Sequence, residues 1–131
     1  MKKIFCLLSI IFIMGCKSSS TINNEFKNLN YSQGISKAAA ITIAQKHILD
    51  SSEKNLNISS AVIENENARH PCYFRITGKY SAKKTWIVRF GPKIGTSDFS
   101  NGLLLDYRYY VAVDRTTGEV LGEDGGLADT L

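Results

Sequence analysis

Residues 103–113 constrain the fold more than any other part of this chain. Leu103, Leu105, Tyr107, Tyr109, Val111 and Val113 are apolar at every second position, with Leu104, Asp106, Arg108, Tyr110 and Ala112 between them. A side-chain period of two belongs to a strand with one face on a core and the other toward water. The run ends at Asp114-Arg115-Thr116-Thr117-Gly118. Asp114 can accept a hydrogen bond from the amide two residues on, and Gly118 can take the left-handed conformation at no steric cost. Glu119-Val120-Leu121 then reads as the return strand of a hairpin.

The hairpin needs a second layer, and the chain supplies it upstream. Ser36 is a good N-cap for the Ala-rich segment that follows it. On a helical wheel Ile41, Ile48, Ala44, Ala40, His47 and Ile43 fill one face, with Thr42, Lys46, Asp50 and Ala39 opposite. Residues 58–64, 72–79 and 86–90 read as further strands, the last two joined by the polar link 80–84. Residues 91–102, with three of the ten glycines, read as a long loop. The whole is α+β: one N-terminal amphipathic helix packed on a four- to five-stranded antiparallel sheet, spanning 35–122. Residues 123–131 read as an acidic, frayed tail.

The N-terminus carries the most specific signal. Lys2 and Lys3 precede an apolar run from Ile4 to Met14. The run is too short for a bilayer, which takes roughly 20 residues, and suits the core of a secretory signal over 1–15. It closes on Ile13-Met14-Gly15-Cys16, which resembles the lipobox of bacterial lipoproteins. That resemblance makes Cys16 the lipidated residue, bearing diacylglyceryl and a further acyl chain such as palmitate. Several acyl chains hold a protein on a membrane almost permanently. Lys17 stands where an inner-membrane retention signal would have aspartate, which points to the outer membrane, facing the periplasm, in a Gram-negative host. Residues 16–34 then form a polar, Ser- and Asn-rich flexible tether, with Phe26, Leu29 and Tyr31 as the residues by which part of it can dock. With Cys6 lost and Cys16 acylated, Cys72 is the one free thiol of three cysteines, so no intramolecular disulfide forms.

Charge and chemistry exclude several classes. Losing Lys2 and Lys3 from 16 basic residues leaves 14 against 12 acidic. These are scattered, with no run able to track a phosphate backbone, so nucleic acid is not expected as a partner. His47, His70, Cys72 and scattered carboxylates are the whole supply of catalytic or ligating groups. On a strand His70 and Cys72 would stand roughly 6–7 Å apart, too far for a direct ion pair. No catalytic residue, metal site or cofactor is expected, and the protein reads as a non-enzyme. The sheet's second face, with Tyr73, Arg75, Thr77, Ile87, Arg89, Asp106, Arg108 and Tyr110, reads either as a binding surface or as a solvated face. Tyr and Arg are enriched at protein–protein contacts, whereas cross-strand Arg–Asp pairs suit water. The candidate binding residues are Tyr73, Arg75, Arg89, Arg108 and Tyr110.

Two short motifs resemble the PepSY domain family. Ile35, Ser36, Ala40, Ile43 and Ala44 match its opening helix; Val113, Asp114, Thr117, Gly118, Glu119, Val120 and Leu121 match its closing strand and turn. The resemblance implies a cystatin-like fold and a role in restraining a protease or binding peptides, with no catalytic residues. The order of elements, with Trp86-Ile87-Val88 in a central strand, also resembles small immunity lipoproteins with a nuclear-transport-factor-like fold, which neutralise a secreted toxin. Both imply a binding module of the cell envelope with a protein or peptide partner.

Overall fold

In a computed structural model of the chain, residues 18–51, 56–64, 69–91 and 105–129 are described. The signal segment 1–15, Cys16 and most of the expected loop 91–102 lie outside them. The elements run α1 (Ser19–Lys27), α2 (Lys37–Asp50), β1 (Val62–Ile63), α3 (Pro71–Lys79), β2 (Thr85–Phe90), β3 (Leu105–Asp114) and β4 (Val120–Asp129), with a single 3₁₀ turn at Ile58–Ser60. The strands form one antiparallel sheet in the order β1-β2-β3-β4. This is the α+β class with a four-stranded antiparallel sheet, but with three helices among the described residues instead of one.

The alternation of β3 sorts the sheet into two faces as expected. Trp86, Val88 and Phe90 pair with Val113, Val111 and Tyr109. These six side chains pack under α2 with Ile43, Ala44 and Ile48. Ile87 and Arg89, between them, pair with Ala112 and Tyr110 on the other face. The hairpin closes as the residues require: the Asp114 carboxylate accepts from the amides of Thr116 and Thr117 at 2.8 Å each, and Gly118 has φ +75°. Those two amides hold the Asp114 carboxyl below its ordinary range.

The second face overturns the strand expected over 72–79. That segment is α3, capped by His70, whose Nδ1 accepts from the Cys72 amide at 3.2 Å, with Pro71 in the first turn. Cys72, Tyr73 and Ile76 form its buried stripe, packed on Ile87, Tyr110 and Ala112. Tyr, Phe, Ile and Thr favour strands in isolation, but here burial of an i, i+1, i+4 stripe outweighs propensity. The sheet is therefore covered on both faces, and the link 80–84 joins a helix to a strand. The strand expected over 58–64 is reduced to Val62–Ile63, preceded by the 3₁₀ turn.

The ends of the folded unit also differ from expectation. The stretch read as a tether contains α1, capped by the Ser18 hydroxyl, with Ile22 buried and Phe26 and Leu29 packed on the core. Thr42 of α2, expected opposite the apolar face, is buried beside α1, and Ala39 and Gln45 are buried as well, Gln45 Nε2 donating to the Ile58 carbonyl at 3.0 Å. The tail is β4, held against β3 from Val113↔Val120 to Leu105↔Asp129. Leu121 is the extra residue of a bulge, since Val113 pairs with Val120 but Ala112 with Gly122. Its carbonyl accepts from the Tyr80 hydroxyl at 2.8 Å.

Helices α1 and α2 run antiparallel. Lys46 Nζ donates to Asn23 Oδ1 at 2.7 Å, and Thr42 Oγ1 to Glu25 Oε2 at 3.4 Å. The start of α1 therefore lies by the end of α2. The start of α2 lies by the hairpin, where the Ile35 amide donates to the Arg115 carbonyl at 2.8 Å. At about 1.5 Å per residue the two ends are roughly 20 Å apart.

Candidate functional site

Three of the five expected binding residues converge, but around a carboxylate that the sequence did not single out. Glu64 follows β1 directly, its amide donating to the Ile87 carbonyl at 2.8 Å. Its Oε2 lies 3.0 Å from Arg89 Nε and 3.7 Å from Arg108 Nη1, and accepts from the Tyr110 hydroxyl at 3.2 Å. Burial above all pushes the Tyr110 phenol up to about 12, with the Glu64 charge adding to it and Arg108 opposing. Tyr73 is buried, its ring centroid 5.9 Å from that of Tyr110. Neither tyrosine is therefore an open binding surface: α3 turns its own Tyr73 inward and lies over Tyr110.

Arg75 stands apart on the exposed side of α3. Its Nε and Nη2 reach the two carboxylate oxygens of Asp124 on β4 at 2.7 and 3.3 Å, and Nη2 also donates to Cys72 Sγ at 3.0 Å. Burial raises the Cys72 thiol's pKa, with the Arg75 charge opposing. His47 pairs with Glu123 at 3.0 Å, and His70 is used as a cap. Among the described residues no three His, Cys, Asp or Glu side chains gather in a way that would hold a metal.

The more open site is one that strand patterning treated only as core. β1 stops at Ile63, opposite Val88, so Thr85 and Trp86 have no strand on that side among the described residues. A cleft of about 260 Å³ opens there, lined by Lys37, Glu64, Tyr73, Thr85, Trp86 and Arg115 among others. Trp86 is fixed from one side, its indole N–H donating to the Ile35 carbonyl at 2.7 Å. The Arg115 guanidinium carbon lies 3.6 Å from the ring centroid, and Lys37 Nζ lies 5.9 Å from it. Arg115 is tied down by donating to the Ala82 carbonyl, while its own amide donates to the Lys84 carbonyl at 3.0 Å. Cations over an indole face are attracted by its quadrupole. The signal available in the sequence was Arg115 inside the turn, but nothing local ties it to Trp86.

A larger groove, about 860 Å³, lies between α1 and α2 and is lined mainly by Asn, Thr and Ala side chains. It gathers no cluster of charge. Set against family models, curated proteins and solved structures, the chain finds a match in none of the three.

Proposed function

We propose that this chain is a lipid-anchored, non-enzymatic binding module of the cell envelope, acting on a protein or peptide, with protease restraint or peptide binding as its work. The lipobox-like Ile13–Cys16 supports the anchor, and the PepSY-like motifs, with the cystatin-like fold they imply, support the peptide role. One observation carries the reading: the Trp86 cleft and the start of α1 stand at opposite ends of α2. Cys16 precedes Ser19 by three residues, a reach of about 10 Å at most. An anchor at Cys16 thus keeps the α1 end at the headgroups and turns the cleft outward, toward the compartment where a partner arrives.

Cell fractionation tests the anchor. Wild-type chain should pellet with membranes and incorporate labelled palmitate, and Cys16→Ser should do neither. Equal membrane recovery of the two would refute lipidation at Cys16. Photo-crosslinking from position 84 in intact cells should then capture a protein partner. A captured protease whose activity falls on adding this protein supports restraint. Rescue of toxin-treated cells instead would move the assignment to a toxin-neutralising immunity lipoprotein.

A further inference from the structure

Helix α1 covers a side of α2 that is built for water. It meets α2 through Thr42 and Lys46, with Ala38 and Ala39 in the groove beside them. On the helical wheel Ala39, Thr42 and Lys46 lie opposite the face that Ile43, Ala44 and Ile48 turn to the sheet. The apolar contribution of α1 itself is small. Phe26 and Leu29 are only partly buried against the main core. Ile22 is buried, but belongs to neither apolar cluster formed among the described residues. Between the two helices the groove of about 860 Å³ stays open.

Neither α2 group is stranded when α1 leaves. Thr42 Oγ1 lies 3.2 Å from the Ala38 carbonyl, and Lys46 Nζ lies 3.2 Å from Asp50 Oδ1. Each therefore keeps a partner within α2. A helix as short as Ser19–Lys27 has little stability of its own once it loses its support. The chain stays fixed at Ile35, whose amide donates to the Arg115 carbonyl at 2.8 Å and whose carbonyl accepts the Trp86 indole at 2.7 Å. Gly34, immediately before it, has φ +80°, a conformation that glycine adopts without strain, and supplies the swivel.

We propose that α1 is a detachable strap, which undocks from α2 and unravels while α2 and the sheet stay folded, so that residues 18–34 become a tether. This rests on the lipid-anchor reading above and adds a conformational step to it. With α1 docked, Ser19 stays within about 10 Å of Cys16, and the domain is held close to the headgroups in one orientation. With α1 undocked, residues 18–34 reach roughly 20–25 Å, and the domain turns about Ile35. A partner held farther out is then met by releasing α1, without unfolding the sheet.

Amide hydrogen exchange of the full chain in detergent reads the strap directly. The amides of residues 22–27 should exchange roughly a hundredfold or more faster than those of residues 44–48 in α2. Ile22→Ala should speed the α1 exchange roughly tenfold or more. It should leave unchanged the denaturant midpoint followed by Trp86, the single tryptophan, whereas Ile48→Ala, in the core, should lower that midpoint. In vesicles with dansyl-labelled headgroups, energy transfer from Trp86 should report a broad range of distances for Ile22→Ala. It should report a narrow range for Asn23→Cys/Lys46→Cys bridged by a short bis-maleimide. Amides of α1 as slow as those of α2 would overturn the proposal. So would a midpoint that falls as far in Ile22→Ala as in Ile48→Ala, or equal distance ranges in the two vesicle samples. Exchange needs no anchor, so fast α1 exchange in a chain that fails to pellet with membranes would refute lipidation and leave the strap standing.

Discussion

At the residue scale, two glycines show how unevenly this fold tolerates a methyl group. A Cβ at Gly125 would collide with the ring of Tyr109, which is itself held in the core, whereas one at Gly78 would meet nothing within 4 Å. Gly125→Ala should therefore destabilise by about 1–3 kcal/mol through overpacking. Gly78→Ala, inside α3, should stabilise by about 0.5–1 kcal/mol by removing backbone freedom from the unfolded chain. Denaturant unfolding of the two variants checks both signs. Tyr110 offers a pH signature. Its ordinary phenol value of 10.0 is raised to about 12 in the folded protein. Its contribution is fully present below pH 10 and is lost as pH rises through about 12, because the unfolded chain gives up the proton first. Tyr110→Phe has no such proton, so it should lose less stability than wild type over that interval when melting temperatures are measured against pH. Equal losses would refute the assignment.

At the element scale, legibility followed periodicity. Tyr107, Tyr109, Val111 and Val113 alternate so cleanly that β3, its inward face and the hairpin after it could be read directly, while Leu103 lies outside the described residues. Ser36 likewise marked the start of α2. α3 was not legible, because Cys72, Phe74 and Ile76 alternate as a strand would while Cys72, Tyr73 and Ile76 form a helical stripe. The sequence alone has no means of weighing one against the other; packing on Ile87 and Ala112 decides. His70-Pro71 was the overlooked cue, a cap followed by a residue suited to the first turn. α1 was hidden by sparseness, with only Ile22, Phe26 and Leu29 among polar neighbours. The two readings of 72–79 make opposite claims about Phe74. On a strand Phe74 and Ile76 share a face; in the helix Phe74 is 58% exposed and Ile76 is buried. Ile76→Ala should cost about 2–5 kcal/mol, and Phe74→Ser should stay within about 0.5 kcal/mol of wild type. Comparable losses at both positions would restore the strand.

For the whole molecule, covering both faces of the sheet leaves its edges as the places where main-chain groups remain available. β4 is ten residues long, and no strand lies beside its outer edge among the described residues. A long open edge invites pairing between molecules unless charge or irregularity prevents it. This one carries both, with Glu119, Glu123, Asp124 and Asp129 in a stretch that has no Lys or Arg after Arg115, and a bulge at Leu121. Neutralising three of those acids in Glu119→Gln/Glu123→Gln/Asp124→Asn should increase association, seen as a higher light-scattering mass at equal concentration. An unchanged mass would mean the bulge alone protects the edge. The candidate binding residues were only partly legible for a similar reason. Arg89, Arg108 and Tyr110 do gather, but Glu64 draws them together across 25–46 positions of sequence, and no local pattern records that.

Ile35 joins the two halves of this arrangement, giving its amide to Arg115 and receiving the Trp86 indole on its carbonyl. Helix and hairpin are thus buttoned together at one residue. Any displacement of the indole is therefore passed through one hydrogen bond to the residue before the α2 cap, and through a second to the turn of the hairpin.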